Sequence, residues 1–97
     1  MGVCYTVYMK ADIKKRAIRR LQIIEGQVRG LRSMVEKEEY CINIITQSAA
    51  VKKGISGVED LILENHLSTH VIEQVKGGSS SKAVKEVLTV YKIKANN

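Results

Sequence analysis

The sequence predicts an all-α fold, and three observations carry that expectation. The 97 residues contain no proline, tryptophan or phenylalanine, and four tyrosines are the only aromatics. A β-sandwich or barrel of this size draws on more aromatic and turn residues. Apolar positions recur at intervals of three and four over two long stretches, the period of a helix face. The only linker-like segment is Gly77-Gly78-Ser79-Ser80-Ser81, near the end of the chain. The expected organisation is one helical domain over residues 10–97, preceded by a mobile extension over residues 1–9.

The first helix begins with Asp12 as its expected N-cap. Ile13, Ala17, Leu21, Ile24, Val28, Leu31 and Val35 then form one stripe along about 25 residues. Gly26 and Gly30 each cost a helix roughly 1 kcal/mol relative to Ala, which points to close approach of another backbone. Glu36-Lys37-Glu38-Glu39 separates this helix from a second periodic run, Ile44, Ser48, Val51, Ile55, Val58 and Ile62. No strong stop follows before Gly77-Gly78, so this second helix is expected to reach thirty or more residues, roughly 45 Å. A 97-residue globule cannot enclose such a rod, which calls for a partner. Ser79, Ser80 and Ser81 supply N-cap candidates for a short third helix carrying Ala83, Val84, Val87, Leu88 and Tyr91.

Sixteen Lys and Arg against ten Asp and Glu leave a net charge of +6. The excess sits in the first third of the chain. There Lys10, Lys14, Lys15, Arg16, Arg19, Arg20, Arg29, Arg32 and Lys37 face only Asp12, Glu25 and Glu36. Segregated positive charge is what a polyanion-binding surface needs, and equally what a solvated helix face shows. The longest uncharged run, Tyr40 to Val51, is too short to span a bilayer. Met1–Lys10 lacks a basic start followed by an apolar block, so a soluble, cytoplasmic protein is expected. The two cysteines, Cys4 and Cys41, do not make a disulfide framework.

His66 and His70 lie four apart, on one side of a helix and one turn from each other. Cys41 is 25 positions before His66; at about 100° per residue all three side chains share one face of the second helix. Along that helix Cys41 and His66 are roughly 37 Å apart, so one chain cannot close a site. An antiparallel partner can: two copies placing Cys41 opposite the other's His66/His70 turn form two identical sites about a two-fold axis. That axis passes near positions 54 and 55, where Gly54 and Gly57 let backbones approach and Lys52 and Glu59 pair across the interface. One thiolate with two imidazoles suits Cu(I) and Zn(II), less well Ni(II) or Co(II), and selects against magnesium and calcium. Three ligands match Cu(I), whereas structural zinc normally takes a fourth. The plainer alternative makes Cys41 a buried small hydrophobe and the histidines exposed helix residues.

The string Arg20-Leu21-Gln22-Ile23-Ile24-Glu25-Gly26-Gln27-Val28-Arg29-Gly30-Leu31, followed by Met34, Tyr40-Cys41 and His66-Leu67-Ser68-Thr69-His70, resembles the CsoR/RcnR family of metal-sensing repressors. The resemblance covers about residues 10–94. It implies a three-helix protomer, an antiparallel dimer whose long helices build a four-helix bundle, and a tetramer made of two dimers. It further implies operator double-stranded DNA held by the metal-free form on basic faces, without a helix-turn-helix, and released on effector binding.

Carried over residue by residue, Cys41, His66 and His70 match the family's metal ligands. Tyr40 and Glu86 match a pair that, in the copper branch, hydrogen-bonds with the histidine numbered His66 here. Without the resemblance they read as an interfacial tyrosine and a solvated glutamate. Arg16, Arg19 and Arg20, helped by Lys14, Lys15, Lys52 and Lys53, are the expected DNA contacts.

Departures from the pattern separate the branches. Nickel and cobalt sensors add a histidine near the position of Met9, absent here; persulfide sensors carry a second cysteine in place of His66. Formaldehyde sensors need an N-terminal proline, and this chain has none. Copper remains, with His70 in place of the more common cysteine leaving zinc open. Met9 corresponds to where most relatives begin, so Cys4 falls in the extension, where it offers an extra ligand. The expectation is a Cu(I)-responsive repressor of copper efflux or homeostasis genes, not an enzyme. The alternatives are the same repressor responding to Zn(II), Ni(II)/Co(II) or formaldehyde, and a basic helical scaffold binding nucleic acid or acidic partners. An open zinc site activating water lacks a convincing general base, since Glu59 lies about two turns from His66.

Overall fold

The computed structural model describes residues 9–95; of the expected extension over residues 1–9 only Met9 is among them, and Cys4 lies outside. Four helical segments follow in order: α1 (Ala11–Glu36), α2 (Cys41–Ser68), α3 (His70–Lys76) and α4 (Ser80–Ala95). There is no strand among the described residues. The expected three-helix order holds, with one correction. The second helix does not run unbroken to Gly77; it stops at Ser68.

The break has a local cause. Thr69 Oγ1 donates to the Asn65 carbonyl at 2.6 Å, taking the acceptor that Thr69's own N–H uses in a continuous helix. That N–H turns instead to the His66 carbonyl at 3.4 Å. Ser68 Oγ donates to the Glu64 carbonyl at 2.9 Å and the Asn65 carbonyl at 3.2 Å. Hydroxyls bonding back to carbonyls three or four residues earlier bend helices, and two in succession interrupt this one at Thr69 (φ −127°, ψ −74°).

The other boundaries are closed by backbone bonds. After α1, Glu38 N–H donates to the Val35 carbonyl and Glu39 N–H to the Met34 carbonyl, each at 3.0 Å, with Glu38 left-handed at φ 53°. This is a Schellman stop, built on a glutamate where glycine is usual. The same pair of bonds ends α3, from Gly78 to Val75 and from Ser79 to Gln74, and there a glycine at φ 84° supplies the turn. Asp12 is not the N-cap expected. Lys10 occupies that position, with no side-chain hydrogen bond capping the helix, and Asp12 lies inside the first turn, where a carboxylate favours the positive helix end.

Residues 9–63 form one compact unit and residues 64–95 belong to a second. In the first, Arg20 reaches Gly57 and Ile24 lies against Gly54, so numbers fall along α2 as they rise along α1 and the two helices run antiparallel. Ala17 and Ile24 meet Val51 and Val58 in the core, one heptad from each helix. Other stripe residues stay open: Leu21, Val28, Val35, Ile55 and Ile62 are each at least 40% exposed. A two-helix contact covers only part of a stripe this wide.

Gly54 also departs from expectation. A Cβ on Gly54 would meet Ile24 Cγ1 at 3.2 Å, so the gap is filled by α1 of the same chain rather than kept for another copy's backbone. Nothing stands within 4 Å of a Cβ built on Gly30, and only the Arg29 side chain near one on Gly26. Among the described residues no backbone approach explains either. In the second unit α3 packs against α4 as a short hairpin around buried Ala83 and His70. No described helix is long and apolar enough to cross a membrane.

Candidate metal centre

The break at Thr69 is what sets the two imidazoles. His66 closes α2 and His70 opens α3, so the four-residue spacing spans a bent turn rather than a regular one. The rings meet nearly edge to face, with centroids 4.7 Å apart and planes at 68°. Nδ1 of one stands 3.0 Å from Nδ1 of the other. Two nitrogens bound to one ion at about 2.0–2.1 Å are roughly 3.3 Å apart at a tetrahedral angle. The pair stands a few tenths of an ångström short of that spacing.

The opposite edge of His66 faces a carboxylate. Glu86 Oε1, on α4, lies 3.7 Å from His66 Nε2 and accepts a hydrogen bond from Gln74 Nε2 at 3.1 Å. A carboxylate on the Nε2 side favours the proton there, which leaves His66 Nδ1 with a free lone pair. With that tautomer the short contact needs the proton on His70 Nδ1, and His70 would have to carry it on Nε2 instead before its own Nδ1 could serve as a second donor. Glu86 faces His66 at an ion-pair distance rather than a hydrogen-bond distance. Gln74 lies outside the expected set; its only mark in the sequence is the four-residue step from His70, and α4 must fold back before that step matters.

Burial reverses the plainer alternative. His70 is buried, His66 is half-buried, and Cys41 is an exposed free thiol at the start of α2. Tyr40 beside it is exposed as well. Among the described residues no three His, Cys, Asp or Glu side chains are grouped tightly enough to hold an ion within one chain. The structure therefore brings together His66, His70 and Glu86, and does not add Cys41 to them.

Burial holds the His66 imidazole below its ordinary 6.5, repulsion from His70 adds to the effect, and Glu86 opposes it. On acidification the unfolded chain takes up this proton first. His66 therefore contributes stability above its ordinary value, and that contribution is lost as pH falls through the depressed one. In metal-free protein, NMR titration is expected to give His66 a midpoint below 6.5, raised by His70→Asn and lowered further by Glu86→Gln. A midpoint above 6.5, or one moved up by Glu86→Gln, contradicts this arrangement.

All seven expected DNA contacts, Lys14, Lys15, Arg16, Arg19, Arg20, Lys52 and Lys53, are exposed. Lys15, Arg16 and Arg19 line a shallow depression along α1 with Ile18, Gln22 and Ile23. Arg20 and Lys53 line a second groove where α1 meets α2, Arg20 Nη1 donating to the Gly57 carbonyl at 3.5 Å. No acid lines either depression.

Comparison with known proteins finds relatives for the chain as a whole. The sequence profile of a family described as metal-sensitive transcriptional repressor matches residues 13–92. The copper-sensing transcriptional repressor CsoR of Bacillus subtilis (strain 168) is 39% identical over 79 residues, 81% of this chain and 78% of that protein. The copper-sensing transcriptional repressor RicR of Mycobacterium tuberculosis is 40% identical over 65 residues, 67% of this chain and 68% of that one. The crystal structure of the copper-sensing repressor CsoR with Cu(I) from Geobacillus thermodenitrificans NG80-2 superimposes with a TM-score of 0.83. It is 32% identical and covers 92% of this chain and 93% of the other.

Proposed function

The chain belongs to the metal-sensitive transcriptional repressor family, and on that premise we propose that it represses copper-homeostasis genes, holding operator DNA when metal-free and releasing it on binding Cu(I). The observation that carries the reading is the pair of imidazole Nδ1 atoms at 3.0 Å, with Glu86 behind one of them. Two imidazole nitrogens of the kind a soft monovalent ion takes stand close enough to share one ion once the proton between them has moved away. The third is Cys41, supplied by the partner subunit. Cys41 begins α2 and His66 lies in its last turn, so an antiparallel pair sets each thiol beside the other chain's rings.

Oligomer formation also accounts for the open stripe. Leu21, Val28, Val35, Ile55 and Ile62 gain cover when a second copy packs against α1 and α2, and two such dimers form the tetramer. Each subunit contributes the basic depressions of α1 to the DNA face. Contacts of that kind are mainly to phosphates, so affinity falls steeply with salt. This function places the protein in the cytoplasm with its DNA.

When bound, Cu(I) supplies a point to which a thiolate and two imidazoles converge. The chain's residues do the rest. His66 and His70 open their mutual hydrogen bond, Glu86 steadies the outer edge of His66, and Cys41 ties one subunit's α2 to the other's α2–α3 turn. The tetramer so fixed fits DNA poorly. Linkage is reciprocal, and operator DNA weakens Cu(I) binding by the same factor.

Titration of Cu(I), Zn(II) and Ni(II) into the protein–operator complex, followed by fluorescence anisotropy, tests the assignment. Stoichiometric Cu(I) is expected to release the DNA, with Zn(II) and Ni(II) needing at least about tenfold more metal. Release by Ni(II) or Zn(II) ahead of Cu(I) contradicts the copper assignment, and release by none of the three contradicts the sensor.

A further inference from the structure

We propose that Gln74 is a positioning residue for sensing: its amide holds the Glu86 carboxylate against His66 and so ties the imidazole pair to α4. The inference rests on the repressor reading above and deepens it. Gln74 stands one turn after His70 on α3. Its Nε2 donates to Glu86 Oε1 at 3.1 Å, and that same oxygen is the one 3.7 Å from His66 Nε2. His66 meets His70 through Nδ1, and His70 leads back along α3 to Gln74. The four side chains close a loop through the end of α2, α3 and α4.

Glu86 does not hold this place unaided. Its side chain is 38% exposed, and a flexible carboxylate that open to water needs an anchor to keep one rotamer. The amide of Gln74 has only one workable orientation. Turned over, it sets Oε1 against the carboxylate, oxygen against oxygen; as it stands, Nε2 donates. The consequence is visible on the other side of the group, where Gln74 Oε1 is buried with no hydrogen-bond partner among the described residues. A buried orphan acceptor is unfavourable and calls for an explanation. Here the explanation is the donor at the other end. Any movement of His66 as the rings part is passed through Glu86 and Gln74 to the α3–α4 hairpin, which gives the site a mechanical output.

Gln74→Met keeps length and volume without the donor. Gln74→Glu keeps the shape and turns the donor into a charge that repels Glu86. Three quantities are measured for each: DNA affinity without metal, Cu(I) affinity by competition with a chelator, and DNA affinity with Cu(I). The expected result is metal-free DNA affinity and helical circular dichroism unchanged within about twofold. Cu(I) affinity falls by less than the coupling between the two ligands, which shrinks about tenfold in Gln74→Met and further in Gln74→Glu. In metal-free protein the His66 Nε2 resonance shifts in Gln74→Met as it does in Glu86→Gln, and Gln74→Met adds nothing in the Glu86→Gln background. Full coupling with an unmoved Nε2 resonance overturns the proposal. So does a parallel loss of helicity and metal-free DNA affinity, the mark of a packing role. If Cu(I) fails to release even the unsubstituted chain, it is the repressor reading that falls. The Nε2 resonance still decides whether Gln74 holds Glu86 on the ring.

Discussion

In the Cys41→Ala protein, one equivalent of Cu(I) is expected to leave the DNA complex intact. The substitution removes the only sulfur among the three proposed ligands, and sulfur is the donor a soft ion prefers. Loss of a group that merely supports a ligand costs about ten- to a hundredfold in affinity, so loss of the ligand itself costs more than about a hundredfold. The fold has little stake in this side chain. Cys41 is exposed on the first turn of α2, and surface substitutions of that kind usually stay within about ±0.5 kcal/mol. Metal-free DNA affinity is therefore expected to match the parent within about twofold, a change of less than about 0.5 kcal/mol. Anisotropy with labelled operator reads both quantities in one titration, and release at stoichiometric Cu(I) contradicts the role given to the thiol.

The second large effect is on DNA. Replacing Arg16, Arg19 and Arg20 together by Ala removes cations from both depressions on α1 in every subunit. Binding is expected to weaken by at least about a hundredfold at moderate salt. The slope of log affinity against log salt should flatten by about one for each phosphate left without its cation. Arg16 and Arg19 carry the clearer signal. Arg20 also donates to the Gly57 carbonyl between α1 and α2, so part of its effect passes through the helix pair. Comparing Arg20→Lys with Arg20→Ala separates charge from that hydrogen bond. Unchanged affinity and slope in the triple variant would place the DNA surface elsewhere.

What the sequence makes legible is the part fixed by periodicity. The three-four spacing of Ile13, Ala17 and Ile24 locates α1 and its buried side, and Val51 and Val58 do the same for α2. His66 and His70 stand out by their spacing alone, and Glu86 through the family pattern. The break at Thr69 escapes because no glycine or proline marks the chain between Gly57 and Gly77. Its cause is a competition between hydroxyls and backbone N–H groups for the same carbonyls, which hydropathy does not register. Glu38 escapes for a related reason, since nothing in a charged run announces a left-handed residue. Gly54 reads as room for another chain, and only the antiparallel course of α1 shows Ile24 occupying that room. Gln74 depends on the α3–α4 hairpin, a tertiary fact with no local signature.

A metal site shared between two chains is the central claim, and subunit complementation reaches it most directly. Cys41→Ala chains and chains carrying His66→Ala with His70→Ala are each expected to lose the high-affinity Cu(I) site. Unfolded together in equal amounts and refolded, half of the antiparallel dimers are mixed, and each mixed dimer regains a single complete site. The predicted result is about one tightly bound Cu(I) per four chains in the mixture and none in either parent. No recovery on mixing, or full binding retained by either parent alone, contradicts it.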